Sequence, residues 1–402
     1  MKEIGTADIV IGIPSYNNAG TIGHVVRAAA EGLAKYFPDS TALLMNSDGG
    51  SSDGTCDAFM GTSTPERVHK LAACYQGIPG KGSSFRAIFE AVKTLGARAC
   101  VVVDSDLRSI TPEWIKLLAR PIIGDGAGYV TPLYLRHKYD GTITNSLAYP
   151  LTRALYGMRV RQPIGGDFGL SGRLAETYLE KDVWQSAAAK FGIDIFMTTT
   201  AVNEGFDVKQ ANLGAKIHDA KDPAQHLGPM FRQVVGTMFA LMERYEEKWT
   251  KVSGSAMVPT VGPALELEPE PVDVTLSALI KNFREGVKSK RPLWGRFLSE
   301  RTISDVEALA HLGDESFEYP ARLWVQTVYE FAAAYNGRGL GRNGPEPDEI
   351  VDSLTPLYFG RTAGFVRETE QMTCAEAEQV IESVAALFEQ EKPCLVALWD
   401  SK

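Results

Sequence analysis

The hydrophobic pattern of the first 250 residues alternates between two periods. Residues 7–14, ADIVIGIP, form a near-continuous apolar run with β-branched side chains, closed by a proline. That pattern predicts a buried strand of a parallel sheet. Over 21–37 the period changes, and Ile22, Val25, Val26, Ala29, Leu33 and Phe37 recur on one helical face. Further strands are expected at 41–48 (TALLMNSD), 68–75 (VHKLAACY) and 99–106 (ACVVVDSD). Phe85, Ile88, Phe89, Val92 and Leu95 mark a helix between the last two. Strand-helix alternation of this kind implies an α/β fold, with a mostly parallel sheet covered by helices on both faces. Ligands of such sheets bind beyond the carboxyl ends of the strands. Polar clusters stand at those ends: PSYNN, NSDGGSSD and DSD.

The pattern breaks at 252–273, where VSGSAMVPTVGPALELEPEPVD is rich in Pro, Gly and Glu and shows no sustained helical period. It reads as a linker or a surface strap. Beyond it the periodicity is almost wholly helical. Leu276, Leu279, Ile280, Phe283 and Val287 form one stripe, and Trp324, Val328 and Phe331 lie on another. Thr373 and Glu376 have the spacing of a capping box ahead of Val380, Ile381, Val384 and Phe388. The expected organisation is a catalytic domain over 1–250, a linker over 251–273 and a mostly helical C-terminal domain over 274–402. The helical tail suggests a homodimer.

Composition narrows the class. A chain of 402 residues suits two domains, and 44% hydrophobic with 23% charged residues is ordinary for a globular enzyme. No run of 18 apolar residues predicts a membrane span. The opening MKEIGTADIVIGIP has no basic n-region or cleavage site, so no signal peptide is expected. A net charge of −9 argues against nonspecific nucleic-acid binding. Five scattered cysteines without a CxxC argue against a disulfide framework or a zinc site, and for a reducing, cytoplasmic setting. Cys74 and Cys100 sit in apolar runs and read as small core residues.

Asp104-Ser105-Asp106 is the leading candidate for chemistry. Two carboxylates two residues apart, just past a hydrophobic strand, can approach one divalent cation. Hard oxygen ligands suit Mg²⁺ or Mn²⁺ bridging the phosphates of a nucleoside diphosphate. Asp48 and its GGSSDGT loop admit two readings: a holder for a nucleotide base, or a turn in which Asp53 caps the next helix. PGKG at 79–82 precedes a helix; its glycines allow close backbone approach and Lys81 offers charge to phosphate, although it is no P-loop. Gly165-Gly166-Asp167 in QPIGGDFG suggests backbone against a ligand, with Asp167 orienting sugar hydroxyls. Asp194 lies among Phe191, Ile193, Ile195 and Phe196, so it must be paired, a helix cap or functional. His218 stands alone in NLGAKIHDAKDP.

Taken in order, PSYNNAGTI, SDGGSSDGT, PGKG, VDSDL, QPIGGDFG, FGIDI and LGAKIH resemble blocks of the retaining GT-A glycosyltransferases that make glucosyl-3-phosphoglycerate, mannosyl-3-phosphoglycerate and related glycerate glycosides. The resemblance covers about residues 7–245. It implies the GT-A, Rossmann-like fold and a donor of the UDP- or GDP-glucose or -mannose kind. Pro14, Ser15, Tyr16, Asn18 and Gly49 would line the nucleotide pocket, and Lys81 would hold the diphosphate. Asp104 and Ser105 would meet phosphates and ribose, while Asp106 and His218 would bind the metal. Asp167 and Asp194 match acids near the donor sugar, and Tyr134 and Arg136 match a segment beside the active site.

One position departs from that family. Members that accept 3-phosphoglycerate carry an arginine in a GRVT-like turn. Here the turn is Gly141-Thr142-Ile143-Thr144, which keeps Thr144 and puts Thr142 where the arginine stands. A neutral hydroxyl does not replace a guanidinium on phosphate. The expected acceptor is therefore glycerate or a glycosylated glycerate, with 3-phosphoglycerate as the alternative if Arg136, His137, Lys138 or Arg153 supplies the charge. The implied reaction is transfer of glucose or mannose to the 2-hydroxyl with retention, yielding a compatible solute or a polysaccharide precursor. Two rivals remain: a nucleotide-sugar binding module without turnover, and a lipid-phosphate glycosyltransferase anchored through KSKRPLWGRF at 288–297.

Overall fold

The computed structural model describes residues 4–217, 228–264, 269–340 and 344–400. The chain divides into two compact units. One holds Met1–Leu135, Val160–Asp219 and Met257–Glu270; the other holds Arg136–Arg159, Ala220–Ala256 and Pro271–Lys402. The segments of these units interleave along the chain, whereas the sequence reading has consecutive segments at 1–250, 251–273 and 274–402. Hydrophobic period identifies the elements, but the packing partner of each is a tertiary choice.

The first unit is built on an eight-stranded sheet: β1 Ile9–Ser15, β2 Ala42–Asp48, β3 Val68–Cys74, β4 Ala99–Val102, β5 Tyr129–Leu135, β6 Phe168–Ser171, β7 Val208–Ala215 and β8 Thr260–Val261. Their order across the sheet is β8-β7-β5-β6-β4-β1-β2-β3. All pairings are parallel except those of β6, which runs antiparallel to both β4 and β5. The mostly parallel α/β expectation is met, and three of the four strands read from the pattern lie within two residues of where it put them; the fourth, expected over 99–106, ends at Val102, which leaves Asp104-Ser105-Asp106 in the loop beyond it. The stretch expected as a linker contributes β8, an edge strand paired to β7.

The helices Ile22–Tyr36 and Pro112–Asp125 bury their apolar faces against the sheet. Ile9, Ile11, Ile13, Val25, Val26, Leu33, Val101, Ile115 and Leu118 share one core cluster. Each fully buried aliphatic there contributes about 1.5–3 kcal/mol relative to exposure. Cys100 is buried in this sheet, but Cys74 is exposed, against expectation. It ends β3, an edge strand whose apolar run is covered only in part.

The second unit is mostly helical. Among the described residues its longest helices are Gly228–Arg244, Leu276–Trp294, Ala321–Tyr335, Pro347–Thr369 and Cys374–Asp400. The expected stripes are buried at Leu279, Ile280, Phe283, Val287, Trp324, Val328 and Phe331. Thr373 and Glu376 form the expected reciprocal cap: Thr373 N–H donates to Glu376 Oε2 at 2.7 Å, and Glu376 N–H donates to Thr373 Oγ1 at 3.2 Å. Trp294, within the basic segment 288–297, is buried. Among the described residues no helix is long and apolar enough to cross a membrane.

Candidate active site

β1 lies between β2 and β4, so the chain leaves it in opposite directions across the sheet, which makes its carboxyl end a switch point. The register pairs Ser15 with Asp48 and Gly12 with Val102. The three polar clusters therefore emerge side by side. Because β6 is antiparallel and Phe168 pairs with Val102, the residue entering β6, Asp167, arrives beside Asp104. β7 is parallel to β5 and delivers Lys216 to the same end, past a register shift at Leu133/Tyr134. Such irregularities re-aim side chains beside sites.

These elements assemble a cluster of charges. Lys81 Nζ lies 2.7 Å from Asp104 Oδ1, and Lys216 Nζ lies 2.8 Å from Asp104 Oδ2. Lys216 also donates to Asp167 Oδ2 at 2.8 Å and to the Gly165 carbonyl at 3.0 Å. Asp104 N–H donates to Asp167 Oδ1 at 2.8 Å, and the Tyr134 hydroxyl donates to Asp167 Oδ2. Asp194, in the first turn of the helix Ile193–Asn203, holds its Oδ1 3.6 Å from Lys81 Nζ. No hydrogen-bond donor of the described residues reaches that oxygen.

The electrostatics follow from this geometry. Burial alone would raise the Asp104 carboxyl, but the Lys216 and Lys81 charges outweigh it and hold the group well below the usual carboxylate range. Burial would lower the Lys81 ammonium; Asp104 and then Asp194 reverse that and raise it. Asp194 moves the other way. Burial raises it, the Lys81 charge opposes that without overcoming it, and Asp104 adds a smaller repulsion. Three carboxylates thus face two ammonium groups, a surplus of negative charge suited to a cation or to proton transfer.

Glycines at two places are needed for space. A Cβ on Gly166, whose φ is +90°, would lie 2.4 Å from Asp104 Oδ2 and 2.8 Å from Lys216 Nζ. Here the Gly-Gly pair lets the backbone run against the charge cluster itself. In PGKG the reason differs from expectation. A Cβ on Gly82 would lie 2.0 Å from the Ala188 carbonyl, so that glycine admits the 187–190 turn instead of a phosphate. Lys81 keeps its place in the cluster, as the first residue of the helix Lys81–Leu95.

Beside the cluster, Pro14 and Ser15 are buried at the end of β1, and Tyr16 beyond them is 65% exposed. Asn18 Oδ1 accepts from Tyr16 N–H at 3.0 Å and from Ser105 Oγ at 2.8 Å, which ties the first cluster to the third. Gly49 N–H donates to the Ser15 carbonyl at 2.8 Å. Asp48 is fully engaged within the protein. Its Oδ1 accepts from Gly50 and Ser51 N–H, and its Oδ2 from the Ser15 and Ser51 hydroxyls. Those bonds outweigh burial and lower its pKa. Asp53 Oδ1 accepts from Thr55 N–H ahead of the helix Thr55–Gly61. The turn is present, but the N-cap of that helix is Gly54, which carries no side-chain cap, so Asp53 braces the turn instead of capping the helix.

Among the described residues no group of three or more His, Cys, Asp or Glu could hold a metal ion. Both Asp104 oxygens are engaged by lysines, and Asp106, half-buried, follows in the loop. The described chain approaches that loop at Ile217, whose carbonyl accepts from Arg108 N–H at 3.0 Å and whose N–H donates to Ser109 Oγ at 2.9 Å. His218, the expected second ligand, lies outside the described residues.

Arg136, Gly141 and Thr144 belong to the other unit. There Arg136 Nη1 donates to Asp140 Oδ2 at 3.2 Å, and Thr144 opens a π-helical turn, Thr144–Ala148. Thr142 is buried, and its hydroxyl is 2.6 Å from that of Tyr358. Sequence reasoning assigned no role to Lys216. The available signal was a lysine directly after a strand of mixed polarity, VKQANLGA, which does not tell a site residue from a solvated one.

Neither a protein-family model nor a curated protein matches the chain. Solved structures do. Glucosyl-3-phosphoglycerate synthase from Mycobacterium tuberculosis, in complex with Mn²⁺, UDP and glucosyl-3-phosphoglycerate, is similar at 25% identity over 58% of this chain and 79% of that one, with a TM-score of 0.46. The same enzyme with Mn²⁺, UDP-glucose and glycerol 3-phosphate matches at 24% identity over 60% and 83%, also with a TM-score of 0.46.

Proposed function

We propose that this chain is a nucleotide-sugar-dependent hexosyltransferase that delivers glucose or mannose to the 2-hydroxyl of glycerate or a glycerate derivative. The observation that carries the proposal is the convergence of Lys81, Lys216, Asp104, Asp167 and Asp194 at the switch point of the sheet. The ordered sequence blocks point to the same chemistry.

Each residue has a task in this reading. The exposed Tyr16 ring offers a stacking face to the base, and the linked Asn18 and Ser105 meet the ribose. Lys81 transfers its charge from Asp104 to the diphosphate. Asp167, held by Tyr134, Lys216 and the Asp104 amide, orients the sugar hydroxyls. Asp194 sits close to Lys81, near the anomeric carbon. Asp106 and His218, one carboxylate oxygen and one imidazole nitrogen, would be the protein ligands of a divalent cation, and Mg²⁺ or Mn²⁺ bound there would share the negative charge of the departing diphosphate. The acceptor oxygen bonds to the anomeric carbon as the bond to the diphosphate oxygen breaks on the same face, and the acceptor proton passes to that oxygen. Positioning and fixed charge then supply most of the rate enhancement.

We assign acceptor recognition to the turn containing Gly141 and Thr144 together with Arg136. The engagement of Thr142 with Tyr358 supports an acceptor without phosphate at that position. The test is a matrix of UDP- and GDP-glucose and -mannose against glycerate, 3-phosphoglycerate and glucosylglycerate, with Mg²⁺ or Mn²⁺ and NMR of the product anomer. Retained transfer to glycerate is expected. A strong preference for 3-phosphoglycerate would sink the acceptor assignment, and nucleotide binding without transfer or hydrolysis would favour the binding module.

A further inference from the structure

Among the described residues, Asn17 is the one non-glycine residue whose φ lies in the left-handed region, at +57°. An L side chain there is crowded by its own backbone, and asparagine tolerates the crowding better than most. Asn17 is exposed, so no apolar packing holds it in that state. Such conformations persist only where the surroundings over-determine them, and they gather at binding sites.

The surroundings here are the loop after β2. Asn17 N–H donates to Ser51 Oγ at 2.8 Å, and Asn17 Oδ1 accepts from Ser52 N–H at 3.1 Å. Ser51 Oγ gives its own hydrogen to Oδ2 of the buried Asp48 at 2.6 Å, which anchors this latch in the sheet. The next two residues are fastened as well: Asn18 N–H donates to Thr55 Oγ1 at 2.8 Å, and Ala19 N–H to Asp53 Oδ2 at 3.0 Å. The residue that this turn presents is Tyr16, 65% exposed at the carboxyl end of β1. Its ring lies close against Gly49: a Cβ there would be 3.2 Å from Tyr16 Cδ2 and 3.4 Å from Tyr16 Cβ. The side chain thus rests on bare backbone and leaves most of its surface to a ligand.

We infer that Asn17 is a positioning residue for the nucleoside of the donor: its left-handed turn and its paired bonds to Ser51 and Ser52 hold the Tyr16 ring as a fixed shelf for the base. The inference rests on the transferase reading above and adds the residue that sets its base platform. A shelf ordered in advance avoids the entropy loss of ordering it on binding.

The test is calorimetric binding of UDP, GDP and inorganic pyrophosphate, each with Mn²⁺, to the full chain. Asn17→Ala is expected to weaken the nucleotide that the parent binds by about tenfold, within the range of base stacking on an aromatic ring, and to leave pyrophosphate binding unchanged. Asn17→Gly takes the turn freely and tests the side-chain bond alone; a several-fold loss is expected, and it decides the question if Asn17→Ala does not fold. In a Tyr16→Ala background, Asn17→Ala should add no further loss, because the ring through which it acts is gone. Parent-like nucleotide affinity in the Asn17 variants, an equal loss for pyrophosphate, or losses that add in full to that of Tyr16→Ala would overturn this inference alone. A parent chain that binds neither UDP nor GDP would overturn the transferase reading and the inference with it.

Discussion

The Lys216 ammonium reaches Asp104, Asp167 and the Gly165 carbonyl, and its side chain is 5% exposed. Removing one partner of a buried ion pair leaves an uncompensated charge, a cost of about 3–5 kcal/mol. Lys216→Met should therefore lower unfolding stability by that order in urea titrations; a loss under about 1 kcal/mol would mean the carboxylates are already neutral or solvated. Lys392 behaves differently. It is buried in the helix Cys374–Asp400, and its Nζ donates to the Val252 carbonyl at 2.7 Å. Burial lowers its pKa to about 8 from 10.5. Between those values the unfolded chain binds the proton and the folded chain releases it, so this group makes stability rise with pH across that window. Comparing Tm of the parent chain and Lys392→Met from pH 8 to 10.5 should show that contribution vanish in the variant.

At the scale of elements, local signals are legible where the chemistry is local. Thr373 and Glu376 are three residues apart, and their reciprocal cap needs no tertiary information. Ser299 shows what such signals omit. It caps the helix Glu300–Ala310 by accepting from Thr302 N–H at 3.2 Å, and it also donates its N–H and hydroxyl to Glu330 at 2.9 Å each. Ser299→Ala should cost about 1–2 kcal/mol, read as a shift of the denaturation midpoint at constant m. The antiparallel β6 escaped sequence reasoning for a related reason. Its four residues, FGLS, carry too short a pattern to reveal direction, and direction is what brings Asp167 to Asp104.

For the molecule as a whole, the metal of the proposed reaction arrives with the nucleotide diphosphate, so chelation alone should leave the Tm of the ligand-free chain unchanged. Mn²⁺ with UDP should stabilise it by about 2.7 kcal/mol at a hundred times Kd; a Tm loss with chelator alone would point to a structural metal instead. Hydrophobic period and end-of-strand polarity, both short-range properties, suffice in the sequence for the first four parallel strands, the apolar stripes of the long helices and the placing of Asp104, Asp106 and Lys81 just past a strand or at a helix start. The tertiary structure alone decides the rest. Which strand neighbours which, which one runs backwards and which segment joins which unit all depend on burial against distant residues. The salt bridges of Lys216 and the Tyr358 partner of Thr142 span 49 to 216 positions, a separation that no local pattern encodes.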